Sequence, residues 1–336
     1  MTTNNKGVAL IKNNILIVLL LTLIILVGMA LFRFERIAEE VANGKPKYHF
    51  FVVAQNSVDP FWKEVRRGVE VAARDYHVAV EFTAPRFNNS EEQLRYLDIA
   101  VLARVDGIVT HVANEADFNG LIDKAYDQGI PVVTIENDAG GSKRKAFVGT
   151  NSFLLGELAG GLMARATNGK GNIAIIVNND VQTDTTSKNL KISGFLHAVK
   201  AYPEMEVVKV YTSMLGIISA EEITQSITGS QPAIDAIYTV DTVDTLGVAQ
   251  ALVDFNQVGN MVLVGYGDTP EILRYIEKGI VYGTVMSNPY LMGYQSIKSL
   301  MEIKEKDNVS TFVDTEIKTI TAETLDAYRQ GKTNGR

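Results

Sequence analysis

The chain has 336 residues, 46% of them hydrophobic and 21% charged, with a net charge of −7 and a pI near 5.3. These are ordinary values for a globular protein of about two domains, and they exclude disorder, collagen-like repeats and coiled coil for most of the length. The acidic balance argues against a nucleic-acid partner. The absence of cysteine removes disulfides, thiolate metal sites, redox pairs and an acyl-cysteine lipid anchor.

The first feature in chain order is the apolar run Ile15–Phe32, diluted only by Thr22, Gly28 and Ala30. Lys6 and Lys12 precede it, and Arg33, Glu35 and Arg36 follow. As a helix its 18 residues span about 27 Å, enough to cross a hydrocarbon layer. It reads as an uncleaved membrane anchor, with a cleaved signal sequence as the alternative, because Gly28-Met29-Ala30 is a poor cleavage site. The flanking charges place residues 1–14 in the cytoplasm, 15–32 in the membrane and 33–46 in an external linker. The expected location is the cell membrane, with the remainder extracellular or periplasmic.

From Tyr48 onward short apolar runs alternate with helix-length amphipathic segments. The runs are Tyr48–Ala54, Val78–Phe82, Gly107–Thr110, Pro131–Ile135, Ala146–Gly149, Ile173–Val177, Val207–Val210, Ile234–Thr239, Met261–Gly265 and Val281–Val285. Rich in Val and Ile without strict alternation, they predict strands buried on both faces. Between them Phe61–Tyr76, Glu91–Ala103, Phe118–Gln128, Ser152–Ala166, Leu190–Ala201, Thr245–Phe255 and Tyr290–Ile303 predict helices. In the first, Phe61, Val65, Val69, Ala72 and Ala73 form the apolar stripe. The pattern predicts an α/β chain of two doubly wound parallel-sheet lobes, preceded by the membrane helix.

No catalytic constellation is present. The four histidines, His49, His77, His111 and His197, show no metal-binding spacing, and His49 and His111 read as hydrogen-bonded structural residues. There is no nucleophile elbow or phosphate loop, and Pro270 breaks the glycine fingerprint begun at Gly265. Neither an enzyme, a cofactor nor a metal is expected. Polar and aromatic residues do recur just after predicted strands, where open α/β sheets bind ligands. They are Asn56 to Trp62, Glu136-Asn137-Asp138, Asp241, Asp268 and Ser287. Carboxylates and amides beside aromatic faces suit a sugar, although Asp or Asn before a helix also serves as a cap.

Four segments carry a resemblance: Asp59-Pro60-Phe61-Trp62, Ile130 to Ala139, Val264 to Pro270, and Asn288 to Tyr294. From about Lys47 to its end the chain resembles the type I periplasmic sugar-binding family, the ribose/galactose-binding kind. The resemblance implies an N-terminal lobe of 47–150 plus 288–315 and a C-terminal lobe of 151–287 plus 316–330, with ligand between them. Asp59 then stands at a family asparagine, and Phe61 and Trp62 at the stacking aromatics. Glu136 and Asn137, with Asp138 adjacent, replace an Asp-Arg pair. Lys191 replaces an arginine, Asp241 an asparagine and Ser287 a glutamine, while Asp268 substitutes for an aspartate whose place falls on Gly267. These departures favour a neutral monosaccharide, with a pentose such as xylose slightly ahead. In layout the chain resembles the membrane-anchored xylose-binding sensors that partner LytS-type kinases. The expected partner is therefore a sensor histidine kinase, with delivery of sugar to an ABC permease as the alternative.

Overall fold

A computed structural model of the chain describes residues 44–178, 186–214 and 216–334, together with Leu26–Met29 and Arg33. The elements in order are β1 His49–Val53, α1 Pro60–Asp75, β2 Ala79–Thr83, α2 Ser90–Leu102, β3 Gly107–His111, α3 Glu115–Asp127, β4 Val132–Ile135 and β5 Ala146–Gly149. They continue with α4 Ser152–Ala166, β6 Lys170–Asn178, α5 Thr186–Val199, β7 Glu204–Ser213, α6 Ile217–Ile227, β8 Ala236–Thr239, α7 Thr242–Asp254 and β9 Val262–Gly265. Last come α8 Pro270–Glu277, β10 Gly283–Ser287, α9 Pro289–Lys306, β11 Phe312–Asp314, β12 Ile317–Thr321 and α10 Leu325–Asn334.

Two six-stranded sheets result, ordered β11-β5-β4-β3-β1-β2 and β12-β10-β9-β8-β6-β7. All pairings are parallel except β10 with β12. The fold is thus the expected α/β arrangement of two parallel-sheet lobes. Among the described residues no helix is long and apolar enough to cross a membrane. The segment Ile15–Phe32, expected from the sequence to be a membrane anchor, lies outside the described residues except for Leu26–Met29.

Each sheet is covered on both faces because successive strand side chains point to opposite sides. In β1, Phe50 and Val52 pack with Val65 and Val69 of α1 and with Ile297 and Leu300 of α9. Phe51 and Val53 pack instead with Leu97 of α2 and with Phe118 and Ile122 of α3. Helix α1 starts where Asp59 accepts from the Phe61 N–H at 2.8 Å and Pro60 stands in the first turn. Its buried face runs Trp62, Val65, Gly68, Val69 and Ala72, so Trp62 and Gly68 join the stripe while Phe61 is only half-buried.

The chain passes between the sheets three times: from β5 into α4, from β10 into α9, and from β11 into β12. Two of the helices that follow a passage are locked to the lobe they enter by close backbone approach. A methyl on Gly68 of α1 would overlap the Tyr290 carbonyl of α9, and one on Gly293 would overlap the Val65 carbonyl. The second lobe repeats the device, with Gly156 against the Lys191 carbonyl and Gly194 against the Phe153 carbonyl. The α4–α5 contact therefore sets the height of Lys191.

Five of the described elements were not among those expected from the sequence: α6, α8, α10, β11 and β12. Helix α6 begins at Gly216 (φ +59°) without a side-chain cap, and its first residues, Ile217 and Ile218, are exposed. Strands β11 and β12 are short edge strands formed by the last passage between lobes.

Candidate functional site

Strand carboxyl ends of both sheets face a cavity of about 400 Å³ between the lobes. From the first lobe it is lined by Gln55, Asn56, Asp59, Phe61, Trp62, Phe87, Asn88, Glu136 and Asn137. From the second lobe come Asn178, Ser187, Lys188, Lys191, Asp241 and Tyr266, among others. Eight expected site residues meet here: Asn56, Asp59, Phe61, Trp62, Glu136, Asn137, Lys191 and Asp241.

Asp59 and Asp241 each cap a helix and line the cavity as well. Asp241 Oδ1 caps α7, accepting from the Val243 and Asp244 N–H groups at 2.9 Å each. Asp59 caps α1 as described above. Trp62 is 2% exposed; its Nε1 donates to Gln55 Oε1 at 3.2 Å and its ring stands edge-on to His111. It belongs to the core of its lobe and to the cavity wall at once. Asn56 Nδ2 donates to Asn88 Oδ1 at 2.7 Å, while Asn56 Oδ1 accepts from the Val58 and Asp59 N–H groups.

Charge is arranged across the cleft. Burial raises the Glu136 carboxyl, but the His111 N–H and the Lys191 and Lys188 ammoniums outweigh it and hold the carboxyl below the usual range. Its Oε1 accepts from Ser187 Oγ of the other lobe at 3.5 Å. Burial lowers the Lys191 ammonium against the attraction of Glu136. Lys191 lies 4.5 Å over the Tyr266 ring, is 8% exposed, and has no hydrogen bond or ion pair among the described residues. Burial raises the Asp59 carboxyl, opposed by its hydrogen bond from Phe61 and assisted by the Asp241 and Glu136 charges. Below the wall, fully buried Asp244 is pushed up to about 9 by burial and then by the Asp241 charge. Oδ2 of Asp241 and Oδ2 of Asp244 are buried without another partner, and one proton on Asp244 satisfies both.

Three expected site residues stand elsewhere. Asp138 forms a two-point bond with Arg144 and accepts from Thr134 Oγ1, tying the end of β4 to the start of β5. Asp268 accepts from the Tyr328 hydroxyl of α10. Ser287 is buried behind the wall, its Oγ 2.6 Å from the Tyr266 hydroxyl. Sequence reasoning missed Gln55, Phe87, Asn88, Asn178, Ser187, Lys188 and Tyr266. Asn88 and Tyr266 follow strands and carried the same signal as the others, but Ser187 and Lys188 sit on a helix and carried none. Among the described residues no His, Asp or Glu cluster could hold a metal ion.

The cavity wall holds a donor and an acceptor with no partner among the described residues. Asn137, 7% exposed, has a buried Oδ1 that accepts nothing among them, and the Lys191 ammonium has neither a hydrogen bond nor an ion pair with any of them. Aromatic faces from Phe61, Trp62, Phe87 and Tyr266 stand around them. Such a wall can bind a small polyhydroxyl molecule through both faces and edges.

Comparison with known proteins agrees with this chemistry. The D-allose-binding periplasmic protein of Escherichia coli is 23% identical over 269 residues, 77% of this chain and 86% of that protein. GanP, a glucose-galactose binding protein from Geobacillus stearothermophilus, is 34% identical with a TM-score of 0.78, covering 84% of this chain and 99% of its own. The XylFII-LytSN complex contains a chain 28% identical with a TM-score of 0.75, covering 83% of this chain and 98% of that one. The first two of these relatives are sugar-binding proteins rather than enzymes. A family model described as the periplasmic binding protein domain matches residues 50–307, and the chain belongs to that family, in its type I sugar-binding branch.

Proposed function

We propose that this protein binds a neutral monosaccharide between its lobes, extracytoplasmically, and that closure around the sugar is its output. The observation that carries the proposal is the inter-lobe cavity, where Glu136, Asn137 and Asp241 stand beside Lys191, whose ammonium has no hydrogen bond or ion pair among the described residues, and beside the rings of Phe61, Trp62, Phe87 and Tyr266. Glu136, Lys191, Asp241 and Asn137 bond hydroxyls, while Phe61 and Trp62 cover the apolar face of the ring. A pentose such as xylose is the favoured ligand, with hexoses next. Thermal unfolding of the full-length protein with D-xylose, D-ribose, D-arabinose, D-allose, D-glucose and D-galactose tests this. At a hundred times Kd a sugar stabilises the protein by about 2.7 kcal/mol. At about 2–4 °C per kcal/mol this is a readily measured shift. No shift with any of the six overturns the reading.

We further propose that the protein is anchored through Ile15–Phe32 and reports the sugar to a membrane sensor histidine kinase. Support comes from the apolar segment itself, from the absence of cysteine, and from the likeness to the XylFII-LytSN complex. Delivery to an ABC permease is the competing reading, supported by the relation to the E. coli periplasmic protein. N-terminal sequencing of the membrane-bound protein separates them. A retained Ile15–Phe32 supports the sensor, and cleavage near Ala30 supports the transporter.

A further inference from the structure

His111 does not line the cavity, yet it is the fully buried centre of a polar network directly behind it. It ends β3, in register with Ile135, and its Nε2 lies 3.5 Å from Glu136 Oε2. Its Nδ1 lies 3.3 Å from Gln93 Nε2, and its ring meets Trp62 edge-on with centroids 5.2 Å apart. Glu136 itself has φ +67°, a left-handed conformation that a side chain rarely adopts. That turn is held by Glu136 N–H to Val148 O and Asn137 N–H to Ile135 O.

The network assigns the imidazole tautomer. Gln93, also fully buried, donates from Nε2 to the Ala54 carbonyl at 3.0 Å, which identifies that atom as nitrogen. Its second hydrogen faces His111 Nδ1. Asn137 Nδ2, fixed as nitrogen by its bond to the Val112 carbonyl, stands 3.4 Å from His111 Nε2, so an amide donor faces each ring nitrogen. The Glu136 carboxylate, 3.5 Å from Nε2, is the acceptor that draws the ring hydrogen to Nε2 and leaves Nδ1 to accept from Gln93. The Nε2–H is then directed at the Glu136 carboxylate, whose other oxygen faces Ser187 of the opposite lobe. We infer that His111 is a positioning residue of the sugar site, a neutral Nε2–H imidazole that aims the Glu136 carboxylate across the cleft and buttresses the Trp62 ring. The role in binding rests on the monosaccharide reading above; the tautomer does not.

Two measurements on the full-length protein test it. Selective ¹⁵N-histidine labelling, with His111→Gln for assignment, reads the tautomer in the sugar-free state. Neutral Nε2–H is expected, and an Nδ1–H or doubly protonated ring overturns the inference whether or not a sugar binds. Calorimetric titration with D-xylose, or with whichever of the six sugars gives the largest thermal shift, completes a double-mutant cycle. His111→Phe should weaken binding about tenfold, and by less than about twofold when Glu136 is already Gln. His111→Gln keeps a donor near the Nε2 position and should stay within about threefold of the parent, which also covers the case in which His111→Phe fails to fold. Equal losses in both Glu136 backgrounds, or a His111→Gln loss as large as that of His111→Phe, overturn the positioning role. Failure of all six sugars to bind overturns the monosaccharide reading and the binding role with it, and leaves the tautomer to be judged by the label.

Discussion

Replacing Asp244 with asparagine tests the electrostatics beneath the cleft. Asp244 is fully buried, and its Oδ1 accepts from Ser213 Oγ at 2.6 Å. Burial first, then the Asp241 charge, pushes its carboxyl up to about 9. The folded chain therefore keeps a proton that the unfolded chain releases at about pH 4. Between those values the native state binds more protons than the unfolded one, so stability falls as pH rises and levels off above about pH 9. One retained proton corresponds to about 1.4 kcal/mol per pH unit, hence about 3 kcal/mol between pH 6 and pH 8. Asparagine preserves the bonding of the neutral acid, since its carbonyl accepts from Ser213 and its N–H donates to Asp241. Urea unfolding midpoints of the parent should drop over this range, while those of Asp244→Asn stay flatter, the gap opening by about 3 kcal/mol. Parallel pH profiles would refute the shared-proton pair.

Gly194→Ala drives a methyl into the Phe153 carbonyl and should cost about 1–3 kcal/mol in urea unfolding while displacing Lys191 and erasing the sugar-induced thermal shift. Gly161→Ala, on the packed partner helix α4 and with nothing within 4 Å of the new methyl, should be neutral or stabilising, and equal losses at both glycines would defeat the close-approach argument. Lys191→Met keeps the stem and removes a buried ammonium with no ion-pair partner among the described residues, so calorimetry should show about tenfold weaker sugar binding with an unchanged or raised unfolding midpoint. Unchanged affinity would remove Lys191 from the site. Asp138→Ala breaks the two-point bond to Arg144 and should destabilise the chain by about 1–3 kcal/mol while leaving sugar affinity within about twofold. A tenfold affinity loss there would return Asp138 to the binding residues.

The alternation of Val/Ile runs with amphipathic segments determined the α/β class, because burial on both sheet faces leaves the same pattern wherever the strand stands in the sheet. It also placed Asn56, Asp59, Glu136, Asn137 and Asp241 at strand ends, a position set by local chain direction. Only the tertiary structure decided which neighbours point inward. Asp138, two residues after Glu136, turns to Arg144 because the left-handed step at Glu136 redirects the chain. Asp268 is taken by Tyr328, 60 residues later, and Ser287 lies behind Tyr266. Lys188 and His111 gain their roles from partners on other elements, Lys188 from Glu136 across the cleft and His111 from Gln93 and Glu136. Periodicity reports how much of a side chain is buried, but the direction of a charge follows from which distant group folding brings within a few ångströms.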